Sequence, residues 1–418
     1  MKFFTLFRPL GLGLVFLIVT SCMEEPLKVD LDNTNLNLES QELYDITGQT
    51  YQIPPIIGSK TKLYLGEEDG FEYKAMLFSA SYISSESYYS TISSFLDTSI
   101  TIDSAFFTIG MSKDTLVDPI SFSMYYFPDQ ADSIFNESKT HYLNFTDSEI
   151  ASGVLVSSTI EESYAVDSTT TKFRLRFPAE DLFDSTFADT SMNYTLMVKS
   201  DESLDELISF YSREYDYTQT LTPKLEVFYR EFTYPDSGDT STSIDIDTLV
   251  RTFYTTKDIS IMVPPEISEE DTSYITVGRG KGLRSVLKLN FLDSLMLPAQ
   301  TSYDLAQLIF YMVPDTNITS FSVWAAPLTD TLDLSGFSYM EEDDYSIEGT
   351  MLSSGSLYDG KITINIKDFL QNQYFKNVEN LGLKLYANIN NNLHRDIHLF
   401  SAEHDSLYPR LKIRYVSP

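Results

Sequence analysis

The chain contains 418 residues, and its 61 acidic against 29 basic residues give a formal net charge of −32 at pH 7. A surface with this charge repels phosphate backbones, which excludes nucleic acid as a partner. Aromatic residues make up 14% of the chain, and they supply enough apolar bulk for two cores despite the acidity.

The first 21 residues have the features of a bacterial signal peptide. Lys2 and Arg8 precede an apolar run at residues 10–20, which is too short to span a bilayer comfortably. Residues 19–22 resemble the bacterial lipobox, and Cys22 is the only cysteine in the chain. We therefore predict that residues 1–21 are removed and that Cys22 is lipidated as the first residue of a mature protein without disulfides.

A polar stretch follows Cys22. Glu24 and Glu25 resemble the acidic export signal that sends lipoproteins to the cell surface in one large group of Gram-negative bacteria. We expect a lipid anchor in the outer membrane with the protein facing outward. Residues 22–54 contain much Asp, Asn, Glu and Ser but few large apolar clusters, so we predict that they form a flexible tether.

The rest of the chain contains one pattern twice. A Ser-x-Glu motif followed by Pro-Lys/Arg-Leu-x-Val/Ile-x-Tyr occurs at residues 212–229 and again at residues 401–415. Other blocks correspond in the same order: residues 63–66 with 275–278, 75–78 with 286–289, 122–128 with 321–327, 173–177 with 362–366, and 193–198 with 380–385. We therefore predict two modules, at residues 55–230 and 265–418, joined by a linker at residues 231–264.

Most blocks alternate apolar and polar residues at period two, which is typical of strands with one buried face. Turn-forming residues separate the blocks, and the helical candidates at Ser203–Ser209 and Ile366–Tyr374 are few and short. The sequence therefore predicts an all-β fold with two tandem antiparallel β-sandwich (jelly-roll) modules.

Catalytic and metal motifs are missing from the sequence. There is no nucleophile elbow, phosphate-binding glycine loop or zinc-protease motif, so we predict no catalytic residues and no enzyme. His394 and His398 would lie about 13 Å apart on a strand, so we predict no metal site there. Calcium is the one ion kept open, because residues 67–70 and 341–344 are acidic runs, although their different places in the two copies favour solvated loops.

Two aromatic residues are candidates for a ligand platform. The alternation buries Phe122 and Met124 and turns Tyr125 outward, and in the second copy it turns outward Trp324, the only tryptophan. An exposed ring on a sheet is a usual platform for the CH face of a sugar. The alternative is that a crossing loop covers both rings.

The order of blocks resembles the DNRLRE-type modules of secreted and surface bacterial proteins, a family of jelly-roll sandwiches with carbohydrate-binding members. The resemblance rests on residues 63–66, 74–78, 193–196, 212–214 and 223–229, and it is fainter over residues 265–416. The second copy departs from the pattern because it has Ser-Ala-Glu without the arginine. The resemblance implies a sandwich fold and a binding role but no particular sugar.

These observations favour a non-catalytic surface protein that binds polysaccharide or glycan, because a duplicated sandwich gains avidity from two weak sites. The other interpretation is a structural or adhesive surface lipoprotein whose modules act as spacers and contact other surface proteins. Exposure of Tyr125 and Trp324 distinguishes the two interpretations, because a spacer has no need of open rings.

Overall fold

The computed structural model describes the chain from residue 37 onward, with gaps. The described residues are 37–55, 57–58, 60–82, 99–112, 121–127, 134–157, 160–167, 170–177, 193–201, 203–215, 220–233, 245–267, 273–298, 301–332, 334, 338–339, 353–376 and 379–417. Residues 1–21, Cys22 and the acidic run at residues 341–344 lie outside them.

The described chain has 58% of its residues in strands and 6% in helices, which confirms the predicted all-β fold class. The first thirteen strands are β1 (Asn37–Leu43), β2 (Ile46–Gln52), β3 (Lys62–Glu68), β4 (Phe71–Tyr82), β5 (Ile100–Met111), β6 (Phe122–Tyr126), β7 (Val154–Ser157), β8 (Ile160–Asp167), β9 (Thr170–Phe177), β10 (Asn193–Ser200), β11 (Ile208–Tyr211), β12 (Lys224–Thr233) and β13 (Asp245–Val263). The remaining ten are β14 (Tyr274–Gly278), β15 (Leu283–Leu289), β16 (Ser302–Tyr311), β17 (Ser322–Pro327), β18 (Ser338–Tyr339), β19 (Ser353–Tyr358), β20 (Lys361–Asn365), β21 (Leu383–Ala387), β22 (Asp396–Phe400) and β23 (Arg410–Ser417).

Helices are short among the described residues. They are α1 (Asp147–Ala151), α2 (Lys367–Lys376) and a 3-10 helix at Asn290–Ser294. The helix predicted at Ile366–Tyr374 is therefore correct to within two residues at its end. The one predicted at Ser203–Ser209 is wrong, because Ile208 begins β11 and pairs with β3.

The strands form two large sheets, and each is built mainly from one half of the sequence. The first has the order β13-β12-β5-β11-β3-β4-β10-β6-β7 and includes β8 and β9. The second has the order β1-β23-β16-β20-β19-β17-β21-β15-β14-β22 and includes β2 and β18. We call them module 1 and module 2. Each folds over a single main core as a β-sandwich.

The two modules share one strand pattern. Leu225 of β12 lies between β5 and β13, and Leu411 of β23 lies between β16 and β1. The pairs β3–β11 and β14–β22 also correspond, as do β4–β10 and β15–β21. The repeated blocks of the sequence therefore occupy equivalent strands.

A strand that contacts both layers closes each module. β13 pairs first with β12 and then, farther along its length, with β4. In module 2 the same two positions are filled by β1, which pairs with β23, and by β2, which pairs with β15. We call β13 and the β1–β2 pair the closing strands. Because β1 and β2 precede module 1 in the chain, module 2 is closed by residues from the opposite end of the sequence.

The sequence after each closing strand repeats as well. Residues 53–57 read Ile-Pro-Pro-Ile-Ile, and residues 263–267 read Val-Pro-Pro-Glu-Ile. The repeated unit thus begins with its closing strand, so that the units span residues 37–233 and 245–417. Each unit gives its closing strand to the sandwich of the other unit.

The predictions of a flexible tether and of a linker are wrong, because both segments contain strands of the sandwiches. The tether predicted at residues 22–54 contains β1 and β2, whose Ile46 and Tyr51 side chains are buried in module 2. The linker predicted at residues 231–264 contains β13, whose Phe253 side chain is buried in module 1. Both segments are polar on one face, so their composition is similar to that of a linker, whereas their apolar face completes a core.

The outer face of one layer in each module carries a further apolar cluster. In module 1, Phe71 and Leu77 of β4 pack with Phe135 and Phe145 from the segment between β6 and β7. In module 2, Tyr51 of β2 packs with residues that follow β17. In each module, one outer face of the sandwich is therefore covered by a segment that connects two of the strands.

Candidate functional site

The repeated Ser-x-Glu motif forms the same turn in both modules. Ser212 and Ser401 are buried directly after β11 and β22. Their N–H groups donate to the carbonyl oxygens of Thr61 (3.2 Å) and Ser273 (3.0 Å), which precede the first strand of each sandwich. Each serine Oγ also accepts the N–H of the glutamate two residues on, at 3.1 and 3.3 Å. The motif is therefore a structural turn that fixes the start of the sandwich.

Arg213 in the first turn stabilises the crossing of β13 between the two layers. Its Nε lies 2.5 Å from Glu214 Oε1 and 3.4 Å from Glu137 Oε1. Its Nη1 donates to the carbonyl oxygen of Thr256, which lies in a bulge of β13. Module 2 has Ala402 at this position. Its closing strands β1 and β2 are joined by residues 44–45 alone, so there is no bulged carbonyl oxygen that needs a donor such as Arg213.

Three carboxylates meet at the same crossing. Oxygen atoms of Glu137, Glu214 and Asp258 lie within 4.8 Å of one another. Asp258 is only 1% exposed, and one of its oxygens, Oδ2, accepts the N–H of Arg213 at 2.8 Å. The other, Oδ1, has no hydrogen-bond partner among the described residues. Burial, and then the nearby Glu214 carboxylate, raise the pKa of Asp258 well above its usual range.

A loop of module 2 packs onto module 1. His394 lies between β21 and β22, with its Nδ1 2.8 Å from Glu68 Oε2 and its Nε2 2.7 Å from the Tyr73 hydroxyl oxygen. Its ring centroid lies 5.0 Å from that of Phe71. Burial lowers the pKa of His394 despite the adjacent Glu68 carboxylate. His398, on β22, instead contacts Thr276 within module 2.

The acidic run at residues 67–70, one of the two kept open for calcium, belongs to this contact. It forms the turn between β3 and β4, where Asp69 and Gly70 have φ angles of 53° and 81°. Glu68 faces His394, and Asp69 Oδ2 lies 3.5 Å from Arg395 Nη1. Two of its carboxylates therefore contact cationic or basic groups of module 2.

A cavity of about 650 Å³ opens beside this loop, between the two modules. We call it the intermodule cleft. Module 1 contributes residues 60–62, Tyr64, Glu68 and Leu207, and module 2 contributes Arg279 and residues 389–394. Its wall therefore combines amide, cationic and aromatic side chains from both modules.

The loop at residues 389–392 is held in place at the rim of the cleft. Asn391 Oδ1 accepts the N–H of Ser322 at 2.9 Å, and Asn391 Nδ2 donates to the Ser322 carbonyl oxygen at 2.7 Å. The neighbouring Asn390 and Asn392 side chains are exposed to solvent. A fixed loop thus presents polar amide groups at the mouth of the cavity.

Two cations lie against this loop from opposite sides of the cleft. The Lys60 ammonium and Arg279 Nη1 both donate to the carbonyl oxygen of Ile389, the latter at 2.7 Å. Burial is the main cause that lowers the pKa of Lys60 to about 8 and that of Arg279 to about 10.

Tyr125 is half-buried rather than open. Its ring packs against the outer cluster of module 1, close to Ile150 of α1, and the Lys199 ammonium lies 4.9 Å from the ring centroid. Lys199 also lines a smaller cavity of about 360 Å³. Part of this ring is therefore covered, and its role as a platform stays a prediction.

Trp324 is also half-buried, on the outer face of module 2. Its ring packs edge-on against Tyr386 with centroids 5.7 Å apart. Tyr386 in turn lies under the guanidinium of Arg284, at 5.0 Å. The predicted inward residues Phe321 and Val323 are buried. Neither Tyr125 nor Trp324 lines the intermodule cleft. The two predicted platform residues therefore lie outside this cavity.

Sequence reasoning missed the residues of the cleft. Lys60 and Arg279 are far apart in the sequence and belong to no catalytic motif. The one available signal is the run at residues 278–282, Gly-Arg-Gly-Lys-Gly, which places two basic residues among three glycines in a strongly acidic chain.

Comparisons with known proteins add no assignment, because no protein family, curated protein or solved structure matches the chain. The resemblance to DNRLRE-type modules therefore stays a prediction from the residues quoted above. Among the described residues, no helix is long and apolar enough to cross a membrane.

Proposed function

We propose that the protein is a non-catalytic lipoprotein of the outer membrane that binds a polysaccharide or glycan at the cell surface, in the intermodule cleft. The observation that carries the proposal is the cleft itself. Its volume of about 650 Å³ lies in the range of small-ligand sites, and both modules contribute side chains to it.

The lining of the cleft is suited to a ligand rich in hydroxyl groups. Exposed amides at Asn390 and Asn392 can donate and accept hydrogen bonds, and Lys60, Lys62 and Arg279 supply further donors. The half-buried Tyr64 ring adds an apolar surface for the CH face of a sugar.

The alternative function, a spacer with structural or adhesive contacts, has its own supporting observation. The exchange of closing strands and the contacts of His394 join the two modules, as a spacer of fixed length requires. A spacer does not need the cleft. Blocking the cleft should therefore abolish the function of a glycan-binding protein and leave that of a spacer unchanged.

A polysaccharide affinity gel and a glycan array with the mature chain distinguish them. Asn390→Trp fills the mouth of the cleft, and Met296→Trp adds the same bulk at a side chain that is 95% exposed and outside the cleft. We expect binding in the wild type and in Met296→Trp, and at least a tenfold loss in Asn390→Trp.

Tyr125→Ala and Trp324→Ala complete the experiment. Loss of binding in these variants, with Asn390→Trp unaffected, would move the site to the predicted aromatic platform. No binding of the wild type to any neutral or acidic polysaccharide, with or without calcium, would support the structural function instead.

A further inference from the structure

The charge of the intermodule cleft is opposite to that of the molecule. The chain has 61 acidic and 29 basic residues, yet Lys60, Lys62 and Arg279 line the cleft together with the single carboxylate of Glu68. Glu68 is engaged with His394 at 2.8 Å. The cleft is therefore a local cationic site in an acidic protein.

Lys60 and Arg279 lack an anionic partner within the part of the chain that the structure describes. Each donates to the carbonyl oxygen of Ile389, and neither lies within 4.0 Å of a described carboxylate. A neutral carbonyl oxygen shared by two cations does not offset their mutual repulsion. Half-burial adds a second unfavourable effect, because it removes water from both charges.

The pKa values of both groups are lowered. Burial is the larger cause for both groups, and the charge of Arg279 also lowers the pKa of Lys60. An anion between the two cations would reverse this imbalance, since it would pair with both at once.

We propose, resting on the function proposed above, that Lys60 and Arg279 form a subsite for the carboxylate of an acidic sugar. A carboxylate is planar and has two oxygens, so it can accept from the guanidinium fork of Arg279 and from the Lys60 ammonium together. The Asn390 and Asn392 amides then contact the sugar hydroxyls next to it. The ligand class is a polysaccharide or glycan that contains uronic acid or a similar sugar acid.

The test compares one polymer in two chemical forms. Polygalacturonate carries a carboxylate on each sugar, and its carboxyl-reduced form keeps the same backbone with a neutral hydroxymethyl group. We expect the full mature chain to bind the acidic polymer at least tenfold more tightly in isothermal titration calorimetry at moderate ionic strength. Dextran sulfate, measured in parallel, reports attraction to any polyanion.

Three variants locate the preference. Lys60→Met and Arg279→Met remove one cation each, and we expect each to lower affinity for polygalacturonate about tenfold. Lys288→Met removes an exposed lysine outside the cleft and should bind as the wild type does. Thermal unfolding of each variant shows whether it is folded before its affinity is interpreted.

A pH titration separates Lys60 from the other groups at the cleft. His394, Tyr64 and Tyr73 do not change charge between about pH 7 and pH 9, because burial lowers the pKa of His394 and raises those of the two tyrosines. Affinity of the wild type should fall over that interval as Lys60 loses its proton. Lys60→Arg, which stays charged, should lose this pH dependence.

The outcomes separate the inference from the function on which it rests. Equal affinity for both polymer forms, abolished by Asn390→Trp, would keep glycan binding and refute the carboxylate subsite. Binding to dextran sulfate as tight as to polygalacturonate would also refute it. Binding to neither polymer form, nor to any other polysaccharide, would overturn both.

Discussion

Asp258 is buried at a position of the closing strand where the second module has Ile46. Asp258 pairs with Phe78 of β4, and Ile46 pairs with Leu289 of β15. In module 1 the ionisable Asp258 occurs together with a bulge in β13 and with Arg213. In module 2 the apolar Ile46 occurs together with Ala402 and no bulge. The departures from the repeat thus occur together, because the longer crossing needs a donor for its extra carbonyl oxygen.

Replacing Asp258 by Asn should stabilise module 1 at neutral and alkaline pH. Because the pKa of Asp258 is raised in the folded state, its stabilising contribution is complete below the unfolded pKa and is lost as pH rises through the folded pKa. We expect a gain of about 1–3 kcal/mol in the free energy of unfolding at about pH 8, which vanishes near pH 4.

Thermal unfolding across this pH range checks the prediction, and it is run in EDTA and again in calcium chloride. A gain that stays the same at every pH would contradict it. A higher Tm of the wild type in calcium that Asp258→Asn lacks would show that the three carboxylates hold the ion.

At the level of the element, the β1–β2 pair should be needed by module 2 although it precedes module 1 in the chain. Deleting residues 37–52 removes the buried Ile46 and Tyr51 side chains and leaves one edge of β15 and one edge of β23 unpaired. The two lost side chains alone correspond to about 3–6 kcal/mol, which is comparable to the stability of a whole domain.

Hydrogen exchange measured by mass spectrometry follows each module separately. We expect β15 and β23 to lose protection in the deletion variant while β5 and β9 keep it, and a peptide of residues 37–53 to restore protection in trans. Deletion of residues 23–36 is the matched control. Unchanged protection of β23 without residues 37–52 would show that the closing strand is dispensable.

The sequence predicts the strands of the sandwiches well but not the closing strands. Blocks such as residues 223–229 alternate over most of their length and bury one face, so their period is visible. β1 is mostly exposed, and β2 contains polar residues and Gly48. Their partners, β23 and β15, lie in the second half of the chain, so local composition is typical of a tether. The repeated Pro-Pro pair after each closing strand is the signal that marks the true start of the unit.

The whole molecule explains why the cleft could not be predicted. Lys60 and Arg279 come together only because the two modules pack through the loop at residues 389–394. Contacts between modules depend on tertiary packing and not on the period of any strand. The aromatic residues Tyr125 and Trp324 could be found from alternation alone, but alternation does not reveal the side chains that pack against them.

The membrane anchor is a prediction for the whole protein. Cys22→Ala should leave a precursor that no longer labels with palmitate, whereas Ser21→Ala, which keeps a small residue before the cysteine, should still label. Unchanged labelling of Cys22→Ala would refute the lipobox. Protease treatment of intact cells tests surface exposure separately, and full protection of the protein would place it on the periplasmic face.

The exchange of closing strands has a genetic consequence. Tandem repeats are ordinarily gained and lost by recombination between their copies, since the product with one copy fewer still folds. Here a product with one unit would have to join β2 to β3 of the same sandwich through the short connection that now runs from module 2 to module 1. It could complete its core only by pairing with a second chain, so this duplication, once formed, resists reversal.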